Sequence, residues 1–148
     1  MKKIIGCGNL LLKDEGIGVH LIEYLRRVDL PVDVELVDAA CGGFDIMPHL
    51  DKVEKVVIVD AMQAGGSPGD IYKFGLDDFS IDTPPNMSLH DISLKDVLLL
   101  SQRLAPLPSI TIFGIEPKEM KWGMELTPEV KKILPRLARL VIKEIENA

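Results

Sequence analysis

Three side chains able to hold a metal ion stand where an α/β chain gathers its ligands: Glu15, Asp60 and His90. Glu15 falls in the connection after a first strand-like run, Asp60 ends a nearly continuous apolar run, and His90 follows a long loop at the entry to a helix. In open α/β sheets, ligands bind outside the carboxyl ends of the strands, so this order of elements brings the three together. Two carboxylates and one imidazole make a mixed oxygen and nitrogen site with coordination positions left open, suited to nickel, iron(II) or zinc. Each also has a plainer role available. Glu15 can oppose the dipole of the helix it opens, Asp60 can cap a turn, and His90 can hydrogen-bond its loop. Asp14 and Asp38 lie near the same edge and can substitute, and spacing alone does not choose among them.

Other strings of letters carry less chemistry. Gly6-x-Gly8 ends a strand before a helix, but a dinucleotide fingerprint needs a third glycine at 11, where Leu11 stands. Gly65-x-Ser67-x-Gly69 spells a serine-hydrolase elbow, yet Pro68 has no N–H to give to an oxyanion hole and a strand rather than a helix follows. Neither Cys7 nor Cys41 has a histidine assigned beside it to activate a thiolate, so both read as small apolar filler. His20 lies inside the first helix and His49 at the end of the second, where surface or packing roles are expected.

The elements that must position these groups alternate between short β-branched runs and amphipathic stretches, the pattern of a mostly parallel sheet covered by helices. Strands are predicted over residues 3–8, 33–37, 55–59, 70–76 and 110–115, the fourth free to run antiparallel after the glycine-rich turn 64–69. Asp14 is predicted to cap a helix over 15–27, whose Ile17, Leu21, Leu25 and Val28 share one face. A short helix is expected over 44–50. After a long loop over 77–89, Ser93 with Asp96 is expected to cap a helix running to about residue 103. Thr127 caps and Pro128 opens the last helix, which Pro135 should kink or split.

The chain has 148 residues, 47% apolar and 27% charged, and reads as one domain over 1–148. Packing alone can hold a core in a chain of this length. A net charge of −6 offers no basic face for nucleic acid. No apolar run approaches the roughly 18 residues of a membrane span. The two lysines before Ile4 and Ile5 precede too short an apolar stretch for an export signal. Two cysteines without a C-x-x-C pair fit a reducing compartment, and the cytoplasm is the expected location.

Read in order, these residues resemble the nickel–iron hydrogenase maturation endopeptidases. The run from Gly6 through Gly8-Asn9, Asp14-Glu15-Gly16 and Gly18 looks like the family's opening signature. Val59-Asp60-Ala61 with Gly66 and Pro68-Gly69 resembles its second block, and Ser88-Leu89-His90 its third. Gly114-Ile115-Glu116-Pro117 with Trp122-Gly123 and Leu126-Thr127 is similar to its C-terminal block. The resemblance implies a three-layer α/β/α sandwich on a mixed, mostly parallel sheet of about five strands. It implies an endopeptidase that removes the C-terminal extension of the hydrogenase large-subunit precursor once nickel is in place. Glu15, Asp60 and His90 match the family's metal-binding residues, with nickel carried by the substrate and no organic cofactor. One departure is Asp38-Ala39-Ala40-Cys41, where the family shows aspartate-glycine-glycine-threonine; it bears on loop shape and on which large subunit is recognised. A general base is not evident, though Asp38 or Asp14 could serve. Two other readings are a non-enzymatic assembly factor and a nucleotide-binding α/β module.

Overall fold

A computed structural model of the chain describes residues 1–39, 43–76 and 89–147, and their side chains except those of 43–44 and 89–95. Five strands form one sheet: β1 (Lys2–Gly6), β2 (Val34–Asp38), β3 (Lys55–Ala61), β4 (Ile71–Gly75) and β5 (Ser109–Ile115). Their spatial order is β2-β1-β3-β5-β4. The first four in that order are parallel, and β4 closes one edge antiparallel to β5. This is the mixed, mostly parallel sheet expected. The central strand β3 is buried along its whole length, which explains why it reads as unbroken apolar sequence up to Asp60.

The period of two along each strand sorts its residues between two faces. Ile4, Val57, Val59, Phe113 and Ile115 face one core, which the helices α1 (Ile17–Leu25), α3 (Pro128–Lys131) and α4 (Leu134–Glu146) cover. Ile5, Val56, Ile58, Ile110 and Ile112 face the other, covered by a 3-10 helix (Gly43–Leu50) and α2 (Leu89–Leu104). The three layers follow from this sorting.

Several expectations at element ends are corrected. The first helix is in two parts, a 3-10 turn over Lys13–Gly16 and α1 from Ile17, and it ends at Leu25, so Val28 lies beyond it and is exposed. Asp14 makes no cap hydrogen bond to α1, because its carboxylate is engaged elsewhere. Helix α2 begins at Leu89, which places Ser93 inside the helix rather than at its cap and His90 in its first turn rather than on a loop. Thr127 occupies the N-cap of α3 but its hydroxyl makes no cap bond; it donates to Asp14 instead. Pro135 does divide the last helix, standing in the first turn of α4, where a missing N–H costs nothing. Of the loop expected over 77–89, residues 77–88 lie outside the described residues, as does Cys41, and Leu89 already belongs to α2.

Candidate metal-recognition site

Glycines bring the first connection onto the sheet. A Cβ at Gly18 would collide with the backbone carbonyls of Cys7 and Val59, so only glycine lets α1 rest directly on β1 and β3. Gly8 has φ +134°, a conformation side chains resist, and a Cβ there would strike the Glu15 carbonyl. The close helix–strand packing that a dinucleotide fingerprint assigns to a glycine at 11 is done here by Gly18. The opening motif thereby presses residues 9–16 down over the carboxyl ends of the strands.

Glu15 lies in that connection, partly exposed, in the 3-10 turn Lys13–Gly16. Asp60 lies near the end of β3, 3% exposed, with Oδ1 accepting the Ala61 N–H at 2.8 Å. β1 and β3 are neighbours in register, Gly6 opposite Val59, and the Cys7 N–H donates to the Val59 carbonyl at 2.8 Å. The two carboxylates therefore leave from the same edge of adjacent parallel strands. His90 is the second residue of α2, whose far end leads into β5 at the opposite edge, so the helix begins toward the carboxyl edge. Its side chain lies outside the described ones. Among the described residues no three His, Cys, Asp or Glu side chains form a metal-holding group.

Asp14 is not interchangeable with Glu15. It is fully buried, and its Oδ1 accepts the Thr127 N–H at 2.8 Å while Oδ2 accepts the N–H groups of Lys118 and Glu119 and the Thr127 hydroxyl, at 2.8, 3.0 and 2.8 Å. Four donors leave no capacity for a metal or a proton-transfer role, which corrects both uses left open for it. Asp38, at the end of β2, is exposed. Cys7 is fully buried in the core, as expected of apolar filler, and Ser67 sits in an exposed turn before a strand. His20, in α1, has its pKa lowered, chiefly by burial, against a bond to the Met124 backbone that raises it.

Glu116 is a further buried carboxylate at the same end of the sheet, outside the expected ligand set. It is 5% exposed, just past β5, and its Oε1 accepts the N–H groups of Ala64 and Gly66 and the Tyr72 hydroxyl at 3.0, 2.8 and 2.8 Å. It thus holds the 62–70 connection that leaves Asp60. Burial, then the bond and charge of Glu116, push the Tyr72 phenol up to about 12, so it remains a donor at neutral pH. The signal was in the sequence: a carboxylate directly after an apolar strand, the same arrangement that drew attention to Asp60.

This is a three-layer α/β/α scaffold with carboxylates collected at one sheet edge. The family model of hydrogenase maturation proteases (HycI) matches residues 19–144, and the chain belongs to that family. It is 31% identical over 152 residues to the coenzyme F420 hydrogenase subunit delta of Methanothermobacter thermautotrophicus, covering 96% of this chain and 92% of that one. It is 33% identical over 131 residues to the hydrogenase expression/formation protein HupD of Rhodobacter capsulatus, covering 86% of this chain and 62% of HupD. The solved hydrogenase maturating endopeptidase HybD from E. coli superposes with a TM-score of 0.85 at 26% identity, covering 98% of this chain and 91% of that one. The chain is therefore a protease of hydrogenase maturation. The matched residues include Asp60 and His90; Glu15 and the opening motif precede them.

Proposed function

We propose that the chain is an endopeptidase that removes the C-terminal extension of a nickel-loaded nickel–iron hydrogenase large-subunit precursor, and that it recognises the nickel in that substrate through Glu15, Asp60 and His90. The observation that carries this reading is that Asp60 lies near the carboxyl end of β3 and Glu15 in the connection that follows the neighbouring, registered β1, in a member of a protease family. Three donors leave positions for the substrate's own ligands, as recognition of a metal already bound elsewhere demands. Borderline donors of this kind suit nickel. The two carboxylates supply negative charge at the edge, and a neutral imidazole completes the set. Nickel bound there can polarise the scissile carbonyl or acidify a water. Asp38, exposed at the same edge, is the carboxylate left for a general base now that Asp14 is excluded.

Incubation of the purified protein with nickel-loaded and nickel-free precursor, followed by mass spectrometry, tests the reading. Loss of a C-terminal peptide from the loaded form alone is the expected result. Equal cleavage of the nickel-free form would overturn recognition of the metal, and cleavage of neither would leave a non-enzymatic assembly role.

A further inference from the structure

We propose that the backbone ladder joining residues 11–13 to residues 122–124 is the surface on which the protein substrate docks, beside the metal-recognition site. The inference rests on the endopeptidase reading above and adds to it where the body of the substrate is held. Leu12 and Gly123 form a parallel bridge; the Gly123 N–H donates to the Leu11 carbonyl at 2.9 Å, and the Lys13 N–H to the Gly123 carbonyl at 2.8 Å. From this ladder three large apolar side chains stand into solvent: Trp122, 78% exposed, Met124, 60%, and Leu11, 47%. Singly exposed apolar residues are ordinary, but three on one rigid pair of segments are a patch that calls for a partner. Val32 and Leu104, by contrast, stand near the amino ends of the strands, away from the metal-recognition site, Leu104 one turn after the exposed Leu100 on α2.

The ladder is built to stay in place. Asp14, the next residue but two after Leu11, draws the 118–127 segment in through its four accepted hydrogen bonds, and Lys13 pairs with Glu119 at 2.8 Å. A buried carboxylate is costly unless it is so satisfied, and its effect is to fix an exposed loop in one conformation. Preorganised apolar groups lose little freedom on binding, and tryptophan and methionine within a polar rim, here Lys121 and Glu125, are the composition of a protein interface. Trp122 is left 78% exposed, an aromatic anchor of the kind that a protein partner covers, while Met124 also borders a hollow with His20 and Leu134. The occupant is the substrate because Leu11 and Glu15 belong to one short connection: a polypeptide presenting its scissile bond at Glu15 and Asp60 must cover the residues beside them.

The test compares affinity for nickel-loaded precursor by surface plasmon resonance in an Asp60→Asn background, together with processing kinetics in the otherwise native protein. Trp122→Ser, and separately Leu11→Ser with Met124→Ser, should weaken binding by about 30-fold, the loss expected of a hot-spot residue, and raise KM equally with kcat within twofold. Leu104→Ser should change neither. All are exposed positions, and circular dichroism melts check that the fold is kept. Unchanged affinity and KM in both sets would overturn docking at this surface and leave the endopeptidase reading standing. Precursor that is bound but never cut would overturn the endopeptidase reading, while the affinity comparison still decides docking. Loss of self-association by sedimentation, with precursor affinity unchanged, would assign the ladder to a second copy and overturn the proposal.

Discussion

At the scale of single residues, the site divides carboxylates by how their acceptor capacity is filled. Asp14 and Glu15 are adjacent in sequence, yet Asp14 is sealed beneath four donors while Glu15 remains partly open. Glu15→Gln, Asp60→Asn and His90→Gln should therefore each abolish processing of nickel-loaded precursor, because an amide keeps size and polarity but not the donor a metal needs. Asp60→Asn keeps an oxygen for the Ala61 N–H, so its fold should persist. Mass spectrometry of the precursor and a thermal melt of each variant separate lost chemistry from lost structure. Ser67→Ala should process at the native rate, since Ser67 lies on an exposed turn; complete loss there would make it a nucleophile. The buried position of Asp60 near the carboxyl end of β3 was legible in the sequence because the apolar run before it is that of a strand buried throughout. The role of Asp14 was not legible, because its partners lie 104 to 113 residues away and no local pattern announces them.

At the scale of elements, close approach and long-range clamps decide where chains end. Apolar runs located the inner strands β1, β3 and β5, and shorter apolar runs bounded by turn residues located the partly exposed edge strands β2 and β4. Helix starts carry a weaker local signal. Asp14 and Thr127 are good capping residues by type, but each is drawn into the other's hydrogen bonds, so tertiary structure overrides the local preference. Asp14→Ala would take the acceptor from the N–H groups of Lys118, Glu119 and Thr127 and from the buried Thr127 hydroxyl, and a loss of about 2–4 kcal/mol in urea unfolding is expected. Gly18→Ala should destabilise by about 1–3 kcal/mol or more in the same measurement, because the added methyl meets backbone on both sides and neither strand can yield. A native-like unfolding midpoint in Gly18→Ala would show that α1 can lift from the sheet without cost.

At the scale of the whole molecule, the two ends of the sheet have different electrostatic tasks. The carboxyl edge gathers Asp60, Glu15 and Glu116, while the amino edge is tied down by α4: Glu144 accepts from Thr111 at 2.8 Å and pairs with Lys73 at 3.2 Å and Lys55 at 3.5 Å. Burial alone would raise the Glu144 carboxyl, but the bonds from Thr111 and Lys73 and the nearby lysine charges outweigh it and hold the group below its ordinary 4.5. A depressed folded pKa contributes stability above the unfolded value that is lost as pH falls through the folded one. Glu144→Gln should thus be less stable than the native chain by about 1–3 kcal/mol at pH 7. The gap should narrow below pH 4.5, and urea titrations at pH 7 and pH 3.5 would show it. Among the described residues no helix is long and apolar enough to cross a membrane. Finally, Trp122 is the chain's single tryptophan and stands well outside both cores. Its indole already meets water in the folded state, so its fluorescence emission should scarcely shift to the red when the protein is denatured. The same reporter, silent to unfolding, should turn blue when an apolar partner covers it, giving an optical signal for association without any added label.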